Sequence, residues 1–262
     1  SATRNRRVSA GDLPIWLPDK LRQVRVSGLA AILCHPCFIR GSPPLFMSPR
    51  SQLEHRMLYA ILDAAWLGDR DPGAVAAQMV AGGVDLLQVR AKDAPDATIV
   101  AMTRAALAVC RPAGVPVIVN DRPNLAVATG ADGVHVGQDD LPVEEVRRIV
   151  GPDRIIGKSS HSLEQALAAQ AEDADYFAVG PVFATPTKPT YVPVGLELVR
   201  QVSPVAEKPF FCIGGIKNDN AGQVLAAGAR RIVVVSGILQ APDISAYCRA
   251  LKALLNSAAC CG

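Results

Sequence analysis

Gln88, Arg90 and Lys92 follow a short apolar run and alternate with Val89 and Ala91, so a two-residue period aims all three to one side. Asn120-Asp121, Asp139-Asp140 and the set Thr185, Thr187 and Lys188 also stand just past short apolar runs. These residue types suit one chemistry. Arg grips phosphate oxygens with a planar fork and Lys meets them as a point charge. Two separated carboxylates supply the one or two protein ligands that Mg2+ takes alongside phosphate oxygens and water. A rim carrying both sets would receive a magnesium diphosphate. Each cluster has a plainer explanation when taken alone: Asn-Asp after a strand is more often turn or cap chemistry, and a charged loop residue is more often simply solvated. Recurrence at four strand ends reverses that balance, provided the fold brings those ends together.

The elements that would do so alternate regularly from Met57 onward. Short apolar runs fall at 57–62, 84–89, 115–119, 133–136, 154–157, 176–179, 209–213 and 231–235. Each is followed by a loop and a segment of helical period, at 72–80, 96–109, 123–128, 143–149, 162–171, 196–202, 218–227 and 244–255. Asp71-Pro72 forms an N-cap and first-turn proline, Ser162 is a further N-cap, and Gly82-Gly83 stops the first helix. Gly-Ala-Asp-Gly at 130–133, Glu-Asp-Ala-Asp at 172–175 and Gly-Ala-Arg-Arg at 228–231 recur where a helix hands over to a strand. Eight such units predict an α/β chain folded as a single (β/α)8 TIM barrel over 57–262. An open doubly wound sheet would carry a Gly-rich turn after its first strand, whereas Asp63-Ala-Ala-Trp-Leu-Gly-Asp69 is no such turn.

In a parallel barrel the active site is built at the carboxyl ends of the strands. Cys212-Ile-Gly-Gly-Ile216 and Val235-Ser236-Gly237 then allow close backbone approach to a second phosphate, and Thr185, Thr187 and Lys188 resemble a clamp for an anion. His135 falls within the fourth strand, as a residue of the barrel interior.

Composition narrows the remaining classes. The chain has 262 residues, 50% hydrophobic and 19% charged, with no apolar run long enough to cross a bilayer. Its net charge of +3 hides an asymmetry: residues 1–56 carry 9 Lys/Arg against 3 Asp/Glu, and the rest carry 18 against 21. The basic part is an irregular N-terminal extension with no sustained period, expected to be poorly ordered. A transit peptide, a weak signal core at 29–33, or an upstream extension before a start at Met57 all remain open for it. The extension lacks interleaved aromatics and the remainder is net acidic, which argues against nucleic acid as a partner. Seven cysteines in irregular spacing point to a reducing, cytoplasmic setting rather than a disulfide framework. Cys34-His-Pro-Cys37 has redox-motif spacing but lies in the unpatterned extension. An exposed helix ring is a surface on which a homodimer could form.

Taken in order, these motifs resemble the thiamine phosphate synthase family from about Leu58 to Leu239. Gln88 to Lys92 matches its Gln-x-Arg-x-Lys, Asn120-Asp121 its Asn-Asp, and Gly137-Gln-Asp-Asp140 its Gly-Gln-acidic-Asp. Thr185 to Lys188 matches its Thr-x-Thr-Lys, with Gly214 to Ile216 and Val235-Ser236 completing the set. The resemblance implies a transferase joining an aminopyrimidine methyl diphosphate to a thiazole phosphate, with or without a carboxylate, to give thiamine phosphate and diphosphate. It also implies a dissociative course with Mg2+ as cofactor. Carried over by position, Asp121 and Asp140 would hold the metal. Arg90, Lys92, Asn120, Ser159 and Lys188 would grip the diphosphate, with Arg90, Ser159 and Lys188 as the catalytic set. Gln88 would place the pyrimidine, while Thr185, Thr187, Gly215, Val235 and Ser236 would hold the thiazole phosphate.

Two rivals share parts of this pattern. A thiazole tautomerase of the same barrel type would use a histidine as acid and base, and His161 in Lys158-Ser-Ser-His161 stands where that base would be. A ligand-binding module that keeps the phosphate sites without turnover would have no need of Asp121 and Asp140.

Overall fold

Eight strands pair in parallel and in chain order, and the last returns to the first to close the barrel. They are β1 (Leu58–Asp63), β2 (Leu86–Arg90), β3 (Val117–Asn120), β4 (Gly133–Val136), β5 (Ile155–Ser160), β6 (Tyr176–Val179), β7 (Phe210–Cys212) and β8 (Ile232–Val234). The coordinates are a computed structural model in which residues 49–185 and 192–260 are described. Thr187, Lys188, the Cys34-His-Pro-Cys37 motif and residues 1–48 of the expected extension therefore lie outside the described residues.

The helices are α1 (Ala64–Leu67), α2 (Pro72–Ala81), α3 (Asp96–Cys110), α4 (Pro123–Thr129), α5 (Val143–Val150), α6 (Leu163–Ala171), α7 (Gly195–Val202), α8 (Ala221–Ala226), α9 (Ser236–Leu239) and α10 (Ile244–Cys260). The expected caps form: Asp71 accepts the Ala74 N–H and Ser162 the Gln165 N–H, each filling an orphan donor of a first helical turn. Two helices escaped the sequence reading. α1 and α9 are four residues each, too short to express a helical period. Among the described residues, no helix is long and apolar enough to cross a membrane.

Alternation along each strand sorts side chains into two cores. Residues of one parity, such as Leu58, Leu87, Val119 and Val179, pack outward beneath the helices. Residues of the other parity, Tyr59, Ile61, Leu86, Ile118, Ile155, Tyr176, Phe211 and Val233, fill the barrel interior. Tyr59 and Tyr176 meet Phe211 edge-on at 5.4 and 5.3 Å between ring centres, the geometry that aromatic quadrupoles favour.

The helix-to-strand junctions owe more to their aspartates than to the glycines. Asp85, Asp132 and Asp175 each stand just before a strand and accept N–H groups from the start of the neighbouring one. Asp85 takes those of Met57 and Leu58, Asp132 that of Val117, and Asp175 that of Ile156, all at 2.8 to 2.9 Å. The carboxylates thereby pin strand register at the end of the barrel opposite the mouth.

That end also recruits residues which the sequence assigns to the extension. Pro49–His55 forms a 3-10 helix, and its Leu53 is buried among Tyr59, Leu86 and Tyr176. Arg50 meets Asp175 at 2.6 Å. Leu53 thus closes the floor of the interior core. Leu53→Ala is expected to lower the free energy of unfolding by about 2 to 5 kcal/mol, the usual result of truncating a buried leucine. Denaturant titration measures it, and a loss under about 1 kcal/mol would show that the floor closes without this side chain.

Candidate active site

Strand β2 brings Gln88 and Arg90 inward on one parity, and Lys92 follows them to the rim. Register then supplies a partner that no local pattern announces. Asp63 pairs with Arg90 across β1 and β2, is 1% exposed, and accepts a hydrogen bond from the Arg90 Nη1. Its other oxygen accepts the Ala65 N–H at 3.0 Å and caps α1. Arg90 is therefore held at the mouth by a buried carboxylate, with guanidinium donors left over for an anion.

Asn120 ends β3, and Asp121 turns away from it with φ 58°, the one positive φ outside glycine among the described residues. Asp and Asn tolerate this left-handed conformation better than other side chains do. The Asp121 N–H donates to the His135 carbonyl at 2.8 Å, which fixes the turn against β4. The Asp121 carboxyl is pushed up to about 6, first by burial and then by the charge and hydrogen bonding of Asp140, with Asn120 and Lys92 opposing. Two carboxyl groups therefore face one another beside a lysine.

The loop carrying Asp140 is tied down from both sides. Asp140 Oδ2 accepts the Gly137 N–H at 2.7 Å, while the buried Lys158 donates its Nζ to the Gly137 carbonyl at 2.9 Å. Gln138 donates its side-chain amide to the Ser159 carbonyl. Ser159, on the inward parity of β5, has its Oγ 2.9 Å from His135 Nε2. His161 lines the same pocket, with Nδ1 2.5 Å from the Gly180 carbonyl.

Between β6 and β7 the rim closes over glycine. Gly214 has φ 102°, and a Cβ on it would lie 2.4 Å from Pro181 Cα, so only glycine permits this approach. Gly215, Val235 and Ser236 complete the wall, with Ser236 opening α9 directly after β8.

Every described residue expected at the site lines this one pocket: Gln88, Arg90, Lys92, Asn120, Asp121, Asp140, Ser159, Thr185, Gly215, Val235 and Ser236. Asp63 and Tyr59 were missed, because an acid ending an apolar run and a tyrosine inside one carry no signal until register is known. His135 occupies the interior as expected, and it also reaches the pocket.

The donor set fits Mg2+. Both facing groups are hard oxygen donors, and a pair of carboxylates suits a cation that brings phosphate oxygens and water as its other ligands. The raised Asp121 acidity sets a sign. A carboxyl that titrates at about 6 when folded, above its ordinary 3.8, adds most to stability at low pH, and that contribution is lost as pH rises through about 6. A cation between the two groups offsets their repulsion only where both are ionised. Mg2+ is thus expected to raise Tm at about pH 7.5 and to raise it markedly less at about pH 5. Equal increments at the two pH values would rule out this pair as the ligands.

A closed parallel barrel with cations, paired carboxylates and glycine-lined loops at its mouth defines a phosphate-handling (β/α)8 enzyme. Comparison with known proteins narrows the class. The sequence profile of the thiamine monophosphate synthase family matches residues 58–238, and the chain belongs to that family. It is 44% identical over 203 residues to a thiamine-phosphate synthase of Roseiflexus sp., covering 77% of this chain and 86% of that one. It is 50% identical over 181 residues to the thiamine-phosphate synthase of Thermus thermophilus, covering 69% and 87%. Among solved structures, a thiamine phosphate pyrophosphorylase from Pyrococcus furiosus superposes with a TM-score of 0.71 at 32% identity, covering 80% of this chain and 98% of that one.

Proposed function

We propose that the chain joins an aminopyrimidine methyl diphosphate to a thiazole phosphate, giving thiamine phosphate and diphosphate, as the names of its relatives suggest. The observation that carries this reading is the meeting of Arg90 and Lys92 with the facing Asp121 and Asp140 at one mouth. A diphosphate is a good leaving group once its charge is neutralised, and this mouth is arranged to neutralise it.

In this reading Asp121 and Asp140 hold Mg2+, which when bound offsets charge on the departing diphosphate. Arg90, Lys92, Asn120, Ser159 and Lys188 grip the diphosphate oxygens. Gln88 orients the pyrimidine, while Thr185, Thr187, Gly215, Val235 and Ser236 hold the thiazole phosphate. The C–O bond breaks with its electron pair leaving on the diphosphate, and the thiazole nitrogen then attacks the pyrimidine-stabilised cation. No residue needs to remove a proton, so the protein contributes charge and position rather than general base catalysis. The buried thiols of Cys110, Cys212 and Cys248 support a reducing, cytoplasmic setting.

The test is direct. Incubation with both substrates and Mg2+ should yield thiamine phosphate and diphosphate in equal amounts, with no product when either substrate is withheld. Conversion of a thiazole phosphate tautomer alone, without Mg2+ and without condensation, would instead support His161 as the acid and base of a tautomerase. The relatives do not favour that outcome.

A further inference from the structure

A line of hydrogen bonds crosses the barrel interior beneath the mouth, and the function proposed above uses only its two ends. Gln88 Nε2 donates to Tyr59 Oη at 2.6 Å, and Tyr59 Oη lies 2.9 Å from Tyr176 Oη. Tyr176 Oη is 3.0 Å from His135 Nδ1, and His135 Nε2 is 2.9 Å from Ser159 Oγ. Five strands contribute one residue each: β2, β1, β6, β4 and β5. The fold makes room for the middle of this line. A Cβ on Gly157 would lie 2.2 Å from Tyr176 Cζ and 2.4 Å from His135 Nδ1.

Donor counting gives the line a direction. An amide nitrogen can only donate, so Tyr59 Oη accepts from Gln88 and must send its single proton elsewhere. Tyr59 is fully enclosed, and Tyr176 Oη is the acceptor within reach. Tyr176 then has its own proton for His135 Nδ1, which makes Nδ1 the acceptor and leaves the ring proton on Nε2. That proton goes to Ser159 Oγ. The opposite direction would place two donors on Tyr59 and strand its hydroxyl proton inside the barrel, a loss that buried polar groups avoid. Burial pushes both phenols well above their ordinary range, so neither loses its proton under working conditions.

We propose that Tyr59, Tyr176 and His135 are positioning residues that act through Ser159. By holding His135 in its Nε2–H tautomer, they leave the Ser159 hydroxyl as a donor aimed into the pocket. The same direction leaves Gln88 Oε1 as an acceptor at the far end. The inference rests on the reading of Ser159 as a partner of diphosphate oxygens, which accept hydrogen bonds and do not donate them.

Two measurements test it. The first uses the unmodified full chain with 15N-labelled histidine, and the ring resonances of His135 are assigned by their loss in His135→Gln. The Nε2–H tautomer is expected, and the Nδ1–H tautomer or a protonated ring at neutral pH would overturn the proposal. The second is a double-mutant cycle on kcat. Tyr176→Phe keeps the ring contacts and removes the hydroxyl, and is expected to lower kcat about tenfold, the scale of one lost hydrogen bond, with KM for the thiazole phosphate unchanged. In a Ser159→Ala background the same change should cost nothing further. Losses that multiply would overturn the line while leaving Ser159 in its role. Ser159→Ala with full kcat would overturn the role of Ser159 itself, and the proposal with it.

Discussion

Asp121→Asn is expected to lower kcat by about 10²- to 10³-fold, the scale for losing one charge partner of a transition state, and to leave Tm at neutral pH no lower than that of the unchanged protein. Asparagine is the informative replacement because it accepts the left-handed backbone at φ 58° as readily as aspartate. Alanine would add a backbone penalty of about 1 kcal/mol and confuse the two effects. The amide removes one carboxylate from a facing pair whose repulsion already pushes Asp121 up to about 6. Stability at neutral pH should therefore hold or rise while catalysis collapses, since one of the two carboxylates proposed to hold Mg2+ is lost. Steady-state kinetics at saturating Mg2+ and thermal unfolding read the two quantities separately. A loss under about threefold, against the scale expected for a charge partner, with the fold intact contradicts the assigned role.

Arg90→Ala acts on both activity and stability, and the two can be pulled apart. In the proposed reading, removing the guanidinium takes a cation from the diphosphate, with an expected fall in kcat of about 10²-fold. It also leaves Asp63, 1% exposed, as a buried carboxylate without its cation. Deleting one partner of a buried ion pair costs about 3 to 5 kcal/mol, because the remaining charge is neither paired nor hydrated. Adding Asp63→Asn removes that stranded charge. The double variant is expected to regain most of the stability and none of the activity. If stability and activity recovered together, Arg90 would be a structural partner of Asp63 rather than a ligand of the substrate. If neither recovered, the loss would stem from the cap that Asp63 provides to α1.

The alternation of apolar run, loop and helical period lies within segments of a few residues, and this local pattern was sufficient to place the start of all eight strands within two residues, although β5 runs three residues past its expected end, to Ser160. Capping was equally legible, because Asp71 and Ser162 act on amides three residues away. Parity along β2 revealed that Gln88, Arg90 and Lys92 share a side, since a strand has a period of two wherever it sits. The chemistry of the mouth could thus be recognised from residue types at strand ends. Leu53 could not be recognised: nothing in its flanking sequence distinguishes a residue that closes the floor of the barrel from one in an unpatterned extension.

What the sequence by itself determined is the eight strands and the eight helices that alternate with them, the side of each strand that faces inward, and the polar residues that reach the rim. Only the tertiary structure decided which of them meet. The pairing of Asp63 with Arg90, the turn that faces Asp121 toward Asp140, and the line from Gln88 through Tyr59, Tyr176 and His135 to Ser159 all depend on register between strands. Register is set by closure of the whole barrel, by the aspartates that pin the starts of β1, β3 and β5, and by glycines that leave room for a neighbour's ring. Those contacts join residues 15 to 117 positions apart, beyond the reach of any local pattern.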